Sequence, residues 1–150
     1  MLLKRETFLT DTLPLVESAE TAIERYFDTM NTHDFQATAD LFAVDGVLNA
    51  PFEEPIVGRS AIATYLNAEA QGMQLYPREI SQTQADNARY IQIRGQVKTS
   101  VFVVNVAWVF LLNSQQEIVS VTVKLLASPA ELLNLRPATK FEQSQKGGVN

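Results

Sequence analysis

From Leu15 to Met30 the apolar residues Leu15, Ala19, Ile23, Tyr26, Phe27 and Met30 return at steps of three and four, which lines one face of a helix. Asn31, Thr32 and His33 break the pattern. Phe35, Thr38, Ala39, Leu41 and Phe42 resume it in a shorter helix that is expected to end before a turn at Asp45-Gly46. Val47 to Ala50 reads as a short strand. Pro51 and Pro55 then forbid regular pairing, so Phe52-Glu53-Glu54 reads as a loop. Ile62, Tyr65, Leu66 and Ala70 restore helical spacing over Arg59 to Gln71, with Gly72 placed to end the helix.

In the second half, helical steps give way to alternation and to runs of β-branched residues. Four strands are predicted, from Met73 to Gln84, Arg89 to Thr99, Val101 to Leu112 and Glu117 to Ala127, with turns centred on Asp86-Asn87 and Asn113-Ser114. Helices first and a meander afterwards make the fold class α+β: a curved antiparallel sheet whose concave face is covered by helices, leaving a cone between them. Ser128 and Pro129 suit the start of a short C-terminal helix over Ala130 to Leu135. The expected organisation is an N-terminal arm over 1–14, a domain over 15–135 and a polar, flexible tail over 136–150.

Alternation from Val101 sends Phe102, Val104, Val106, Trp108 and Phe110 to one face and Val101, Val103, Asn105, Ala107 and Val109 to the other. The larger, aromatic set is expected to line the cone. The smaller set leaves an apolar outer face that a second subunit or the N-terminal segment would cover. By the same parity Val119, Val121, Val123 and Leu125 point together, opposite Ile118, Ser120, Thr122 and Lys124. The expected lining is Met30, Met73, Leu75, Val97, Thr99, Phe102, Val106, Phe110, Val123 and Leu125. An apolar cavity with few polar groups suits a hydrophobic ligand held in one orientation. Two such groups stand out, the Tyr26 phenol and the indole N–H of Trp108, the only Trp, and both can donate to a carbonyl oxygen. Pattern alone favours the plainer reading, in which both are core aromatics whose polar ends find backbone partners.

Composition narrows the functions open to such a cone. A net charge of −5, with no cluster of Lys and Arg, argues against a nucleic-acid groove. The absence of Cys excludes disulfides, thiolate metal sites and thiol nucleophiles. Lys4 and Arg5 are followed by Glu6, Thr7, Thr10 and Asp11 rather than by the apolar run of a signal peptide, and no stretch is apolar enough to span a bilayer, so a cytoplasmic location is expected. Glu53 and Glu54 are adjacent loop carboxylates without a His, and no metal is predicted. His33, the only His, lies at the junction of two helices, where it caps or meets solvent rather than catalyses.

Four segments together carry a resemblance: Tyr26-Phe27-Asp28-Thr29-Met30-Asn31, Pro51 to Gly58 (PFEEPIVG), Ala107 to Asn113 (AWVFLLN) and Leu125 to Leu135 (LLASPAELLNL). In this order they resemble the C-terminal domain of the orange carotenoid protein family, over roughly Ala19 to Leu135, and the last segment is the most specific. That domain belongs to the nuclear transport factor 2-like superfamily, whose α+β cone agrees with the pattern above. The resemblance implies a ketocarotenoid, canthaxanthin or echinenone, whose keto oxygen is held by a Tyr on the first helix and a Trp on the central strand, matching Tyr26 and Trp108. It further implies a stand-alone homologue of cyanobacterial photoprotection that lacks the helical N-terminal domain. Such a carrier would hold its pigment across a homodimer, quench singlet oxygen, touch membranes transiently for uptake, and pass the pigment to separate helical carotenoid proteins.

Leu132, Leu133 and Leu135 resemble a tail that covers the tunnel opening. Glu69 matches an acidic residue that pairs with the helical domain, although a solvated helix Glu reads equally well. There are departures: Ala70 where the family often has Cys, replaced and missing residues around Ser100 and Val101, and Val109 and Lys124 where the family has an outer-face Arg and Asp. These alter the rim and the docking surface.

The same superfamily includes ketosteroid isomerase, where a Tyr and a protonated carboxylic acid bind a substrate carbonyl while an Asp removes a proton. Aligned on that motif, the Tyr falls on Tyr26, the acid on Trp108 and the base on Ala50. Alanine accepts no proton, so no catalytic residue and no enzyme activity are predicted. The alternatives are an isomerase- or cyclase-like enzyme and a dimerisation scaffold with an empty cone.

Overall fold

Helix α1 (Pro14–Asn31) is followed by α2 (Phe35–Asp40), strand β1 (Phe42–Asn49), β2 (Ile56–Val57), α3 (Arg59–Glu69), and then β3 (Gln74–Ala85), β4 (Ala88–Lys98), β5 (Val103–Leu112) and β6 (Ile118–Leu126). These elements come from a computed structural model that describes residues 14–85 and 88–126. The expected C-terminal helix, with Leu132, Leu133 and Leu135, lies outside the described residues, as do the Asp86-Asn87 turn, the arm up to residue 13 and the tail. α1 stops where the polar run begins: His33 takes the left-handed conformation (φ 62°), and Asp34 caps α2 by accepting a hydrogen bond from the Ala37 N–H at 3.2 Å.

The six strands form one sheet in the order β2-β1-β6-β5-β4-β3. β3 to β6 are an antiparallel meander, as the alternation predicts. β1 pairs with β6 in parallel, so the sheet is mixed. The pairing is open to it because the whole of α3 to β5 separates the two strands and serves as the crossover that a parallel pair needs.

Two local readings of the sequence are corrected. Asp45-Gly46 is not a turn after a helix: Phe42 and Ala43 already belong to β1, and the register against β6 shifts between Phe42 and Val47. Gly46 sits at that irregularity because a Cβ there would stand 2.9 Å from both the Ile118 carbonyl oxygen and the Phe42 Cβ. Ile118 does not face outward. A second shift sets Leu111 opposite Ser120 and Leu112 opposite Ile118, which makes Val119 the extra residue and lets both Ile118 and Val121 bury completely.

The core forms where the helices cover the inner sheet face. Ile23, Tyr26, Phe27 and Met30 from α1 and Ile62, Ala63 and Leu66 from α3 pack with Ile91, Ile93, Val106, Trp108, Phe110 and Val121 of the strands. Among the described residues no helix is long and apolar enough to cross a membrane.

Candidate ligand site

Adjacent residues on the apolar stripe of α1 deliver Tyr26 and Phe27 to the inner face of β5, which presents Val106, Trp108 and Phe110 by strand parity. The rings interlock edge to face. Tyr26 meets Phe110 with centroids 5.1 Å apart at 88°, and Phe27 meets Trp108 at 4.8 Å and 86°. Tyr26 also meets Phe27 at 5.3 Å, so Phe27 touches both the Tyr26 and the Trp108 rings. Such contacts are favoured by the ring quadrupoles. Tyr26 is 2% exposed and Trp108 1%. Burial pushes the Tyr26 phenol well above its ordinary range, since the phenolate would lose its hydration, and the group therefore stays a hydrogen-bond donor.

Cross-strand register orders the inner face into rows. Trp108 lies between Ile93 and Val123, Phe110 between Ile91 and Val121, and Val104 beside Val97, which pairs in turn with Leu75. Of the expected lining, Met30, Leu75, Val97, Val106 and Phe110 are buried in one cluster with Tyr26 and Trp108, while Met73 and Val123 pack against it. Phe102 and Leu125 depart from the expectation: they share the inner parity but are exposed. Both stand toward the β4–β5 hairpin end of the sheet, Leu125 opposite Val106 and Phe102 just before β5. Thr99 is occupied in the β4–β5 turn. Its hydroxyl accepts from the N–H groups of Val101 and Phe102 at 3.2 and 3.1 Å, and its own N–H donates to the Phe102 carbonyl at 2.8 Å.

The height of α1 over the sheet is set by Asn31. Its side-chain amide donates to the Leu75 carbonyl at 2.9 Å and accepts from the Leu75 N–H at 2.7 Å, so it mimics a strand partner at the edge strand β3. His33 adds a hydrogen bond from Nε2 to the Met73 carbonyl at 3.0 Å and lies against the Phe35 ring. It is a junction residue. The sequence pattern put Phe27 on the apolar helix face and Asn31 at its end, but named neither of them, nor Arg89, as a site residue. Arg89 has the parity of Ile91 and Ile93, which was the available signal, and its Nη1 is buried without a hydrogen-bond partner among the described residues.

The remaining candidates lie apart from these rings. Glu53, Glu54 and Glu69 are exposed, and their nearest consequence is on Tyr65, whose phenol is raised first by burial and then by the charges of Glu53 and Glu69. Ala50 ends the stretch after β1, its carbonyl accepting from the Glu53 N–H at 3.3 Å. The outer face differs from the bare apolar patch expected: Ala107 is buried between its register partners Arg94 and Lys124, and Val109 is half-buried between Gln92 and Thr122.

Known proteins resemble this chain in sequence and fold. An orange carotenoid-binding protein of Limnospira maxima is 40% identical over 116 residues, which cover 74% of this chain and 37% of that protein. The structure of the Anabaena (Nostoc) sp. PCC 7120 orange carotenoid protein binding canthaxanthin matches with a TM-score of 0.66 at 39% identity, over 76% of this chain and 38% of that one. The chain thus spans little more than a third of the carotenoid proteins it resembles. SalBIII, an epoxide hydrolase/cyclase-like enzyme of salinomycin pyran-ring formation, matches over 77% of this chain and 94% of its own with a TM-score of 0.60, but at 18% identity it shares the fold alone. Residues 18–122 match the Nuclear transport factor 2 (NTF2) domain, and with helices laid on one face of a six-stranded sheet, the chain belongs to that family.

Proposed function

We propose that this chain is a water-soluble, non-enzymatic carrier of a ketocarotenoid, canthaxanthin or echinenone, with the keto oxygen of one end ring held by Tyr26 and Trp108. The observation that carries the reading is the burial of a phenol and an indole from opposed elements in one aromatic cluster, linked through Phe27 and Phe110. A donor taken out of water binds a carbonyl oxygen more strongly than one in solvent. Displacement of Phe27, whose ring touches those of Tyr26 and Trp108, would make room for the end ring. The polyene would then run along Val106, Val104 and Val123 toward the exposed Phe102 and Leu125. A second copy of the chain would cover what protrudes, and helical carotenoid proteins would receive the pigment. Ala50, where a related isomerase has its base, supports binding over proton transfer.

The test is colour. Production in cells that make canthaxanthin should give a red to violet protein, because hydrogen bonds to the conjugated carbonyl lower the excitation energy. Tyr26→Phe with Trp108→Phe should shift the band to shorter wavelength or lose the pigment. A folded, colourless wild type would sink the proposal.

A further inference from the structure

The outer face of the sheet, away from Tyr26 and Trp108, carries an open groove of about 410 Å³ whose polar lining is Arg78, Glu79, Arg94, Gln96 and Asn105. A bulge in β3 builds one wall. Pro77 pairs with Gly95 and Glu79 with Arg94, so Arg78 is the extra residue, released from the ladder to lean across β4. Gly95 permits the bulge, since a Cβ there would stand 2.1 Å from the Tyr76 carbonyl oxygen. Register builds the rest. Arg94, Ala107 and Lys124 are successive partners across β4, β5 and β6, so a small buried residue separates two exposed cations whose backbones lie about 10 Å apart.

Hydrogen bonding fixes what the groove can still receive. A guanidinium only donates, so Arg78 Nη2 meets Gln96 through its Oε1, at 3.3 Å, and Gln96 Nε2 is left to donate to Asn105 Oδ1 at 3.1 Å. Both amide oxygens are engaged, and Asn105 Nδ2 keeps its donors for a further partner. Arg94 and Lys124 make no ion pair among the described residues. Within the lining Glu79 is the one carboxylate. On a chain with a net charge of −5, this face thus gathers three cations and unspent N–H groups around one floor of small side chain.

We infer that this groove binds a small molecule bearing two or more phosphate or carboxylate groups, held by Arg78, Arg94 and Asn105 Nδ2, with Lys124 closing on it across Ala107. The volume lies in the lower range of small-molecule pockets, and planar guanidinium forks match the paired oxygens of either anionic group. The resemblance places an Asp at the position of Lys124, so the third cation belongs to this chain and is not carried over from that family. The site goes beyond the carrier reading, which uses the inner face, and does not depend on it.

Pigment-free, isotope-labelled full-length protein is therefore titrated with tripolyphosphate, with citrate and with acetate, and followed by NMR through the side-chain amides of Gln96 and Asn105 and the guanidinium groups of Arg78 and Arg94. Tripolyphosphate or citrate should shift these signals saturably, the tighter of the two identifying the anionic group, and acetate should not. High salt should weaken the binding as surface charge is screened. Arg78→Gln with Arg94→Gln should weaken it about tenfold, at up to roughly fivefold per exposed ion pair, and Lys124→Asp by a similar factor. Arg25→Gln, which removes an exposed cation from α1, should leave it unchanged. All of these residues are exposed, so thermal unfolding of each variant should match the wild type. No saturable shift with either polyanion, an equal response to acetate, equal affinity in the groove variants, an equal loss with Arg25→Gln, or binding of polyglutamate alone each overturns the site. None of these outcomes touches the carrier reading, which colour tests separately.

Discussion

Tyr26 makes alkaline stability a direct readout of the buried donor. In the unfolded chain its phenol titrates near its ordinary value of about 10, whereas burial holds the native phenol higher. Between those two values the native state keeps a proton that the unfolded state has lost. Stability from this group is therefore complete below pH 10 and falls as pH rises above it. At pH 11 the loss is about 1.4 kcal/mol, or roughly 3–6 °C in Tm for a chain of this size. Tyr26→Phe keeps the ring that meets Phe27 and Phe110 and removes the titration. The assay is the thermal midpoint of both proteins by circular dichroism from pH 8 to pH 11. Tyr65 is also raised, but it titrates in both proteins and cancels in the difference. The wild-type curve should bend downward above pH 10 and the variant's should bend less. Parallel curves would refute the claim that this phenol is held out of water.

Two other changes probe the frame around the site. Gly95→Ala would place a Cβ 2.1 Å from the Tyr76 carbonyl oxygen and 2.9 Å from the Pro77 Cα, at the register shift between Pro77 and Glu79. Both neighbours are backbone, so the bulge must move, and the urea midpoint should fall by the equivalent of about 2–3 kcal/mol. Asn31→Ala strips the side-chain partners from the Leu75 N–H and carbonyl and should cost about 2–3 kcal/mol in the same assay, while Asn31→Asp, which keeps the acceptor, should recover part of it.

The period of the apolar residues located α1, α3 and β3 to β6 to within a few residues, because each of these elements buries one continuous face. β1 escaped the same treatment. Its Phe42 continues the spacing of α2, and Gly46 looks the same in sequence whether it serves a turn or the close approach to Ile118 that the fold uses. β6 escaped in part, since a single extra residue at Val119 flips the parity and no residue type announces it. Asn31 was illegible for another reason: its partner is the backbone of Leu75, 44 residues away, and backbone groups leave no mark in a sequence.

Tyr26 and Trp108 were legible because parity and helical spacing each assign a face, and the two faces meet. What parity does not carry is depth. Alternation in the sequence gives Phe102 and Trp108 one side of the sheet, but Phe102, just before β5, is more than half exposed and Trp108 almost wholly buried, six positions or about 20 Å of extended chain further on. Depth depends on what covers each row, which alternation does not record: α1 ends at the Asn31–Leu75 clasp, in the row of Val97 and Val104, two residues short of Phe102. That difference in depth limits what a ligand can be. A compact molecule seated at Tyr26 and Trp108 would leave Phe102 and Leu125 in water, and one bound at the rim would not reach the phenol and the indole. A single ligand that reached both would be long, apolar along its length and oxygenated at its inner end, which is the ligand chemistry proposed above.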